Sequence, residues 1–299
     1  MTVTALLLLG IGIAWTMVAI SQSMLAGRKG AISAFYALGT LFAAPLAWLV
    51  CFRPGERAVT APRAGDLALV LCAACVFNCA GQACLVAGMQ LGHRAATLSI
   101  AQSAMALSFC SSMVFWHERP SVAGLTGLLA VLAGIIAMGR TRHESGGRID
   151  RKWLLLSISS FMLIAAGQII TIWPSYWSGW NDTARLRTPL TLTISCAIYL
   201  GAMLVLRERP SRSHLLPAAL WAGSAVVAFF MLFLVLDRLA ASGCAGCVFP
   251  VAIGLSILGF VGYSRSRLHE AFPWPVRVGL CSILTGIALI ALHVFLRSR

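Results

Sequence analysis

The chain predicts an all-α polytopic membrane protein: ten transmembrane helices arranged as two inverted five-helix repeats. Three observations carry that expectation. Of the 299 residues, 59% are apolar and only 11% charged, far more apolar than a soluble core requires. Ten stretches of about 18 residues or more lack Asp, Glu, Lys and Arg, the length needed to cross a bilayer as a helix. The third observation is a repeat. His117 and His269, Glu118 and Glu270, Gly127 and Gly279, and Gly134 and Gly286 are four identities at one spacing of 152 positions, half the chain, which points to two fused copies of one unit.

The ten stretches are 1–27, 30–52, 67–93, 95–117, 120–139, 153–181, 188–206, 213–236, 239–264 and 278–296. The first has no positively charged start and no clear small-residue cleavage pattern before Arg28, so it reads as a retained helix rather than a signal peptide. The connections are short and carry Arg53 with Pro54, Glu118 with Arg119 and Pro120, and Glu208 with Arg209 and Pro210. Proline here ends one helix and fixes the start of the next, and short loops make sequential helices antiparallel neighbours. The longest polar connection, 140–152, falls at the midpoint. The expected organisation is therefore a first repeat over 1–141, a linker over 142–152 and a second repeat over 153–299. An odd number of helices per repeat forces the second copy into the membrane upside down, an arrangement found in transporters.

The formal net charge of +14 comes almost wholly from arginine, since Lys29 and Lys152 are the only lysines. These cations sit in short loops and gather into no basic run interleaved with aromatics, so membrane topology is the expected cause and nucleic acid is not an expected partner. Most of the positive charge lies in connections after the odd-numbered segments, which favours termini on the outside. The ten cysteines lie mostly inside apolar segments, where cysteine packs as a small hydrophobe. Cys72, Cys75 and Cys79 share a helix face without a His or acidic partner, and Cys244 and Cys247 form a CxxC near a helix end; packing is preferred to metal binding in both, and no metal or cofactor is expected.

Residues 94–139 resemble the fourth-to-fifth helix hairpin of the drug/metabolite transporter superfamily in its EamA-type ten-helix branch. The carrying residues are Ala95, Ala96, Thr97, Leu98, Ser99, Ile100, Ala101 and Gln102, then Phe115, Trp116, His117, Glu118 and Arg119, then a glycine-studded helix from Gly124 through Gly127 and Gly134. Residues 239–292 repeat the pattern more loosely. His117 stands where the family usually has Gly, the fourth helix lacks the common mid-helix Pro, and Ala271 follows Glu270 in place of Arg. The resemblance implies helices one to four and six to nine around a central cavity, helices five and ten at the periphery, and cytoplasmic termini, the last against the charge distribution.

A transport pathway in so apolar a chain should appear as buried polar residues sharing helix faces. Asn78 and Gln82 lie one turn apart in the third segment, and Ser99, Gln102 and Ser103 follow the same spacing in the fourth. An amide near the midplane must find another helix or a water-filled cavity, and both readings stand for Asn78 and Gln102. Trp15 and Thr16 lie at mid-depth in the first segment, Trp15 too deep for an interfacial belt. Gln168 approaches the end of the sixth, where Trp173, Tyr176, Trp177 and Trp180 suggest such a belt. Trp15, Thr16, Asn78, Gln82, Ser99, Gln102, Ser103 and Gln168 are the expected substrate-binding residues.

No segment carries an acidic residue near its midplane. The small multidrug-resistance branch relies on a membrane-embedded Glu in its first helix, and the first segment here has none, which disfavours carboxylate-driven cation exchange. Glu118 and Glu270 with their histidines could relay protons, but pairing of Glu118 with a loop arginine such as Arg119 is the preferred reading. The glycine pairs read as surfaces for close helix packing, internal or between protomers.

The expected function is inner-membrane, multi-pass transport of small neutral, zwitterionic or weakly polar metabolites, such as amino acids or related compounds, by alternating access, with membrane lipids as surroundings and a monomer or homodimer as the assembly. The competing readings are a multidrug exporter, a membrane enzyme on lipid-linked substrates and a non-transporting partner subunit. The enzyme is disfavoured because neither an HExxH motif nor paired midplane carboxylates occur.

Overall fold

A computed structural model of the chain describes residues 2–27, 30–52, 64–91, 94–119, 121–139, 151–177, 184–269 and 274–297. These form an all-α bundle: α1 (Thr2–Gly27), α2 (Ile32–Cys51), α3 (Ala64–Leu91), α4 (Arg94–Gln102), α5 (Met105–Phe115), α6 (Val122–Gly139), α7 (Arg151–Ile172), α8 (Ala184–Val205), α9 (Arg212–Ala240), α10 (Val248–Arg267) and α11 (Trp274–Arg297). Because α4 and α5 are two parts of one interrupted span, the eleven make ten passes. Eight passes are long and apolar enough to cross a membrane, and α6 and α11 contribute the shorter apolar stretches Val122–Ala137 and Arg277–His293. The chain is a multi-pass membrane protein. Its outer surface fits that solvent: Leu6, Leu49, Leu69, Val114, Leu155 and Leu204 are exposed, while the backbone polar groups are satisfied within helices. The expected linker lies largely outside the described residues, although α7 already begins at Arg151.

The two halves pack on each other through equivalent contacts. Helix α1 packs on α9 and α10, and its equivalent α7 packs on α3, α4 and α5; α2 packs on α8, and α6 on α11. The last crossing shows the symmetry at atomic level. A Cβ at Gly134 would lie 2.5 Å from the Gly279 carbonyl oxygen, and one at Gly286 would lie 2.5 Å from that of Gly127, so glycine is required on both helices for the axes to approach this closely. Between the two glycine contacts, Ser282 Oγ donates to the Ala130 carbonyl at 2.6 Å, and these two residues are themselves 152 positions apart. Each repeat thus meets its inverted copy at the same residues.

The repeated histidines have one conformation. His117 and His269 both have φ of 53°, just past helices whose ends close through Trp116 N–H to Ser112 O and Leu268 N–H to Ser264 O, both 3.1 Å. After His117, Glu118 N–H reaches back six residues to Ser112 O at 3.3 Å, closing the helix end across the left-handed residue. That backbone suits glycine, and histidine holds it at a conformational cost.

The turn aims Glu118 at the other half. Its carboxylate accepts from Ser112 Oγ at 2.7 Å, from the Gly246 N–H at 3.1 Å and from the Tyr176 hydroxyl, whose ring stacks on Trp116 with centroids 4.9 Å apart. Gly246 lies just before α10, so a carboxylate of the first half caps a helix of the second. Glu208 makes the reverse connection. It follows Arg207, with φ of 54°, and its Oε2 accepts from the N–H of Ala34 in the first turn of α2 at 2.9 Å. The principal partners of Glu118 are therefore hydroxyls and a helix start, rather than the arginine expected from the sequence. Glu270 lies outside the described residues.

Candidate functional site

A cavity opens where α1, α3, α4, α7, α8, α9 and α10 converge. Its volume is about 100 Å³, several times what one water needs. Five carboxamides line it, Gln22, Asn78, Gln82, Gln102 and Gln168, together with the rings of Trp15, Tyr199, Trp221, Phe229 and Phe249; Thr171 and Ser195 add hydroxyls, and no charged side chain is among the described lining.

Three of the five amides are held by specific bonds. Tyr36 is fully buried and directs its hydroxyl at the main-chain carbonyl of Gln82, 3.5 Å away, and it accepts from Gln22 Nε2 at 2.9 Å. The same Gln22 nitrogen donates to Gln82 Oε1 at 2.8 Å. Tyr36 is itself wedged between rings, stacked on Tyr199 at 4.6 Å and edge-on to Trp221 at 5.7 Å. Gln168 accepts from Ser108 Oγ at 2.6 Å, which fixes its carbonyl toward α5. Asn78 and Gln102 make no side-chain hydrogen bond among the described residues. Both line the cavity, so they face its open space rather than a neighbouring helix.

Gln102 stands at the interruption of the fourth span. Here Ala104 N–H bonds to Ala101 O at 3.3 Å and Ala106 N–H to Ser103 O at 3.0 Å, three-residue spacings in place of the four of an α-helix. No glycine or proline causes this. Ser103 Oγ donates to the Ile100 carbonyl at 2.5 Å, and such local capture of backbone competes with the helical pattern. The break turns the Ala106 N–H to Ser103 O, so the Gln102 carbonyl lacks the donor a continuous helix would supply. Interrupted helices of this kind build solute sites in transporters.

Of the residues expected from the sequence, Trp15, Asn78, Gln82, Gln102 and Gln168 line this cavity. Thr16, Ser99 and Ser103 do not. Thr16 Oγ1 donates to Gly12 O at 2.8 Å and to Ser256 O at 3.3 Å, tying α1 to α10; Ser99 is buried; Ser103 shapes the helix break. Sequence reasoning missed Gln22, Tyr36, Tyr199 and Trp221. A signal for Gln22 existed, since an amide late in an otherwise apolar first segment needs a partner.

Behind the cavity lies a buried ion pair, also missed. Arg187 is fully buried and donates from Nη1 to Asp237 Oδ1 at 2.7 Å and to Ser175 Oγ at 2.9 Å, and from Nη2 to the Thr171 carbonyl at 2.6 Å. Its Cζ sits 4.3 Å from the centroid of the Phe233 ring, a cation–π contact. Thr171 belongs to the cavity wall, so the pair braces that wall from outside. A charge-free window starts the seventh segment at Thr188, but α8 starts at Ala184 and takes in Arg187, whose charge Asp237 of α9 neutralises. The CxxC thiols of Cys244 and Cys247 are buried at the start of α10.

No protein-family model matches the chain, and no curated protein matches it in sequence. A solved structure described only as the crystal structure of a protein is similar in fold, with a TM-score of 0.71 over 97% of this chain and 98% of that one, at 16% identity. At that identity the likeness speaks for the fold alone, and its near-complete coverage of both chains makes the ten-pass bundle a shared architecture rather than a shared fragment.

Proposed function

We propose that this protein is a transporter of small, uncharged or zwitterionic metabolites in the cell inner membrane, working by alternating access between its two inverted halves. The observation that carries the reading is the central cavity: Asn78 and Gln102 turn unpaired amides into it from separate helices, beside a helix break, at the junction of the two repeats. Unpaired amides are costly in a membrane interior and have value where a polar solute or water replaces the missing partner. An uncharged lining agrees with solutes of no net charge. The hairpin resemblance to EamA-type drug/metabolite transporters supports the same role, a carrier rather than an enzyme, acting as a monomer or homodimer.

The test is flux. In cells or proteoliposomes screened with small metabolites, Asn78→Ala, Gln102→Ala and Trp15→Ala should each lower flux of an active solute by about tenfold, the effect of one lost buried hydrogen bond or ring contact. If all three variants are present in the membrane and transport every active solute at the original rate, the cavity is not the pathway.

A further inference from the structure

The hydrogen-bond polarity of the cavity is set in advance, and it selects a chemical edge. Tyr36 has one proton, which it directs to the main-chain carbonyl of Gln82, 3.5 Å away. It can therefore only accept from Gln22, so Gln22 turns its amide nitrogen toward the tyrosine, and that nitrogen also serves Gln82 Oε1. Both hydrogens of the Gln22 amide are thereby used. What remains for a solute is one acceptor, Gln22 Oε1, and one donor group, Gln82 Nε2, on neighbouring side chains that both line the cavity. Gln168 is fixed in the same sense, since its carbonyl is occupied by Ser108 and its nitrogen is left over.

The rings come mostly from the other half of the chain. Tyr199, Trp221, Phe229 and Phe249 come from α8, α9 and α10, whereas four of the five amides come from α1, α3 and α4. A solute in the cavity meets both the free amide groups and aromatic surface, with Tyr199 and Trp221 packed on the Tyr36 that holds Gln22.

We infer that this site takes uncharged, planar, single-ring solutes bearing an adjacent N–H donor and C=O acceptor, the edge of a lactam or cyclic imide, with the N–H meeting Gln22 Oε1 and the C=O meeting Gln82 Nε2. This rests on the transporter reading for its purpose, while its chemistry can be read by binding alone. Charged solutes find no counter-charge in the described lining, and a solute with acceptors only would leave Gln22 Oε1 unpaired.

Equilibrium binding of radiolabelled uracil to the purified full-length protein in lipid nanodiscs tests the assignment, with 1,3-dimethyluracil, phenylalanine and benzoate as competitors. Uracil is expected to bind saturably, and 1,3-dimethyluracil, which keeps the ring and loses the N–H groups, to compete about tenfold or more less well. Gln82→Glu retains the acceptor for Gln22 and replaces the cavity-facing donor, so uracil binding should weaken about tenfold or more, with the folded fraction followed by size-exclusion profile. If that variant fails to fold, the wild-type comparison of uracil with its dimethyl form decides. Equal competition by the two rings, or uracil binding unaltered by Gln82→Glu, overturns the edge assignment. So does absence of uracil binding. Should phenylalanine show flux dependent on Asn78 and Gln102 in that case, the transporter reading survives without the edge; if no solute depends on them, both fall.

Discussion

The first half of the molecule brings carboxamides to the cavity and the second half brings rings. Gln22, Asn78, Gln82 and Gln102 come from the first, Tyr199, Trp221, Phe229 and Phe249 from the second, with Trp15 and Gln168 the exceptions. Positions 152 residues on from the amides are different in kind: Phe230 for Asn78, Leu234 for Gln82, Gly254 for Gln102. At the α6–α11 crossing the same spacing relates glycine to glycine, each in contact with the other helix. Close packing admits few side chains and holds the copies alike, whereas a cavity wall tolerates substitution and has diverged. The buried ion pair belongs with the divergence. Arg187 and Asp237 occupy the positions equivalent to Phe35 and Leu85, which are fully buried and apolar.

The largest effect should come from reversing that divergence by one residue only. Asp237→Leu leaves the Arg187 charge buried without its partner and should cost about 3–5 kcal/mol of stability, whereas Arg187→Phe combined with Asp237→Leu copies the first half and should recover most of it. Thermal or denaturant unfolding in micelles measures both, and equal losses in the single and double variants would show that the charge is not what matters. Next in size is the crossing. Gly134→Val and Gly286→Val each push a side chain into the facing backbone, and each should lose about 1–3 kcal/mol. The two losses should match; a large inequality would break the equivalence of the halves there. The smallest effect tests the repeated turn: His117→Gly and His269→Gly relieve a left-handed backbone and should each raise stability by about 1 kcal/mol, read as a small rise in unfolding midpoint.

Much of this architecture was legible because it is written in short range. Charge-free runs located the passes, and the spacing of Asn78 with Gln82 placed both on one face, now the cavity wall. The misses share a long-range cause. Arg187 reads as a loop residue until Asp237, fifty positions away, is brought beside it. Tyr36, Tyr199 and Trp221 look like ordinary apolar filling in their own segments, and only their mutual stacking shows that they orient Gln22. Thr16 and Ser103 were polar residues at plausible depth, yet each spends its hydroxyl on nearby backbone. Sequence spacing finds which residues share a face; which hydroxyls remain available to a solute depends on bonds that spacing does not encode. The break at Gln102 was hidden for the same reason, since no glycine or proline announces it.

Ser282 and Ala130 invite a last reading. A residue on a two-fold axis meets its own image, so in a dimer of identical chains any mutation there appears on both sides of the contact at once. Joining the copies into one polypeptide removes that tie, and here one side of the self-contact keeps a bare methyl while the other supplies a hydroxyl to its backbone. Covalent linkage thus gives an inverted pair something that symmetry forbids, the freedom to mutate one face of an interface at a time. A cavity that draws its amides mainly from one copy and its rings mainly from the other is what that freedom permits at the centre of the bundle.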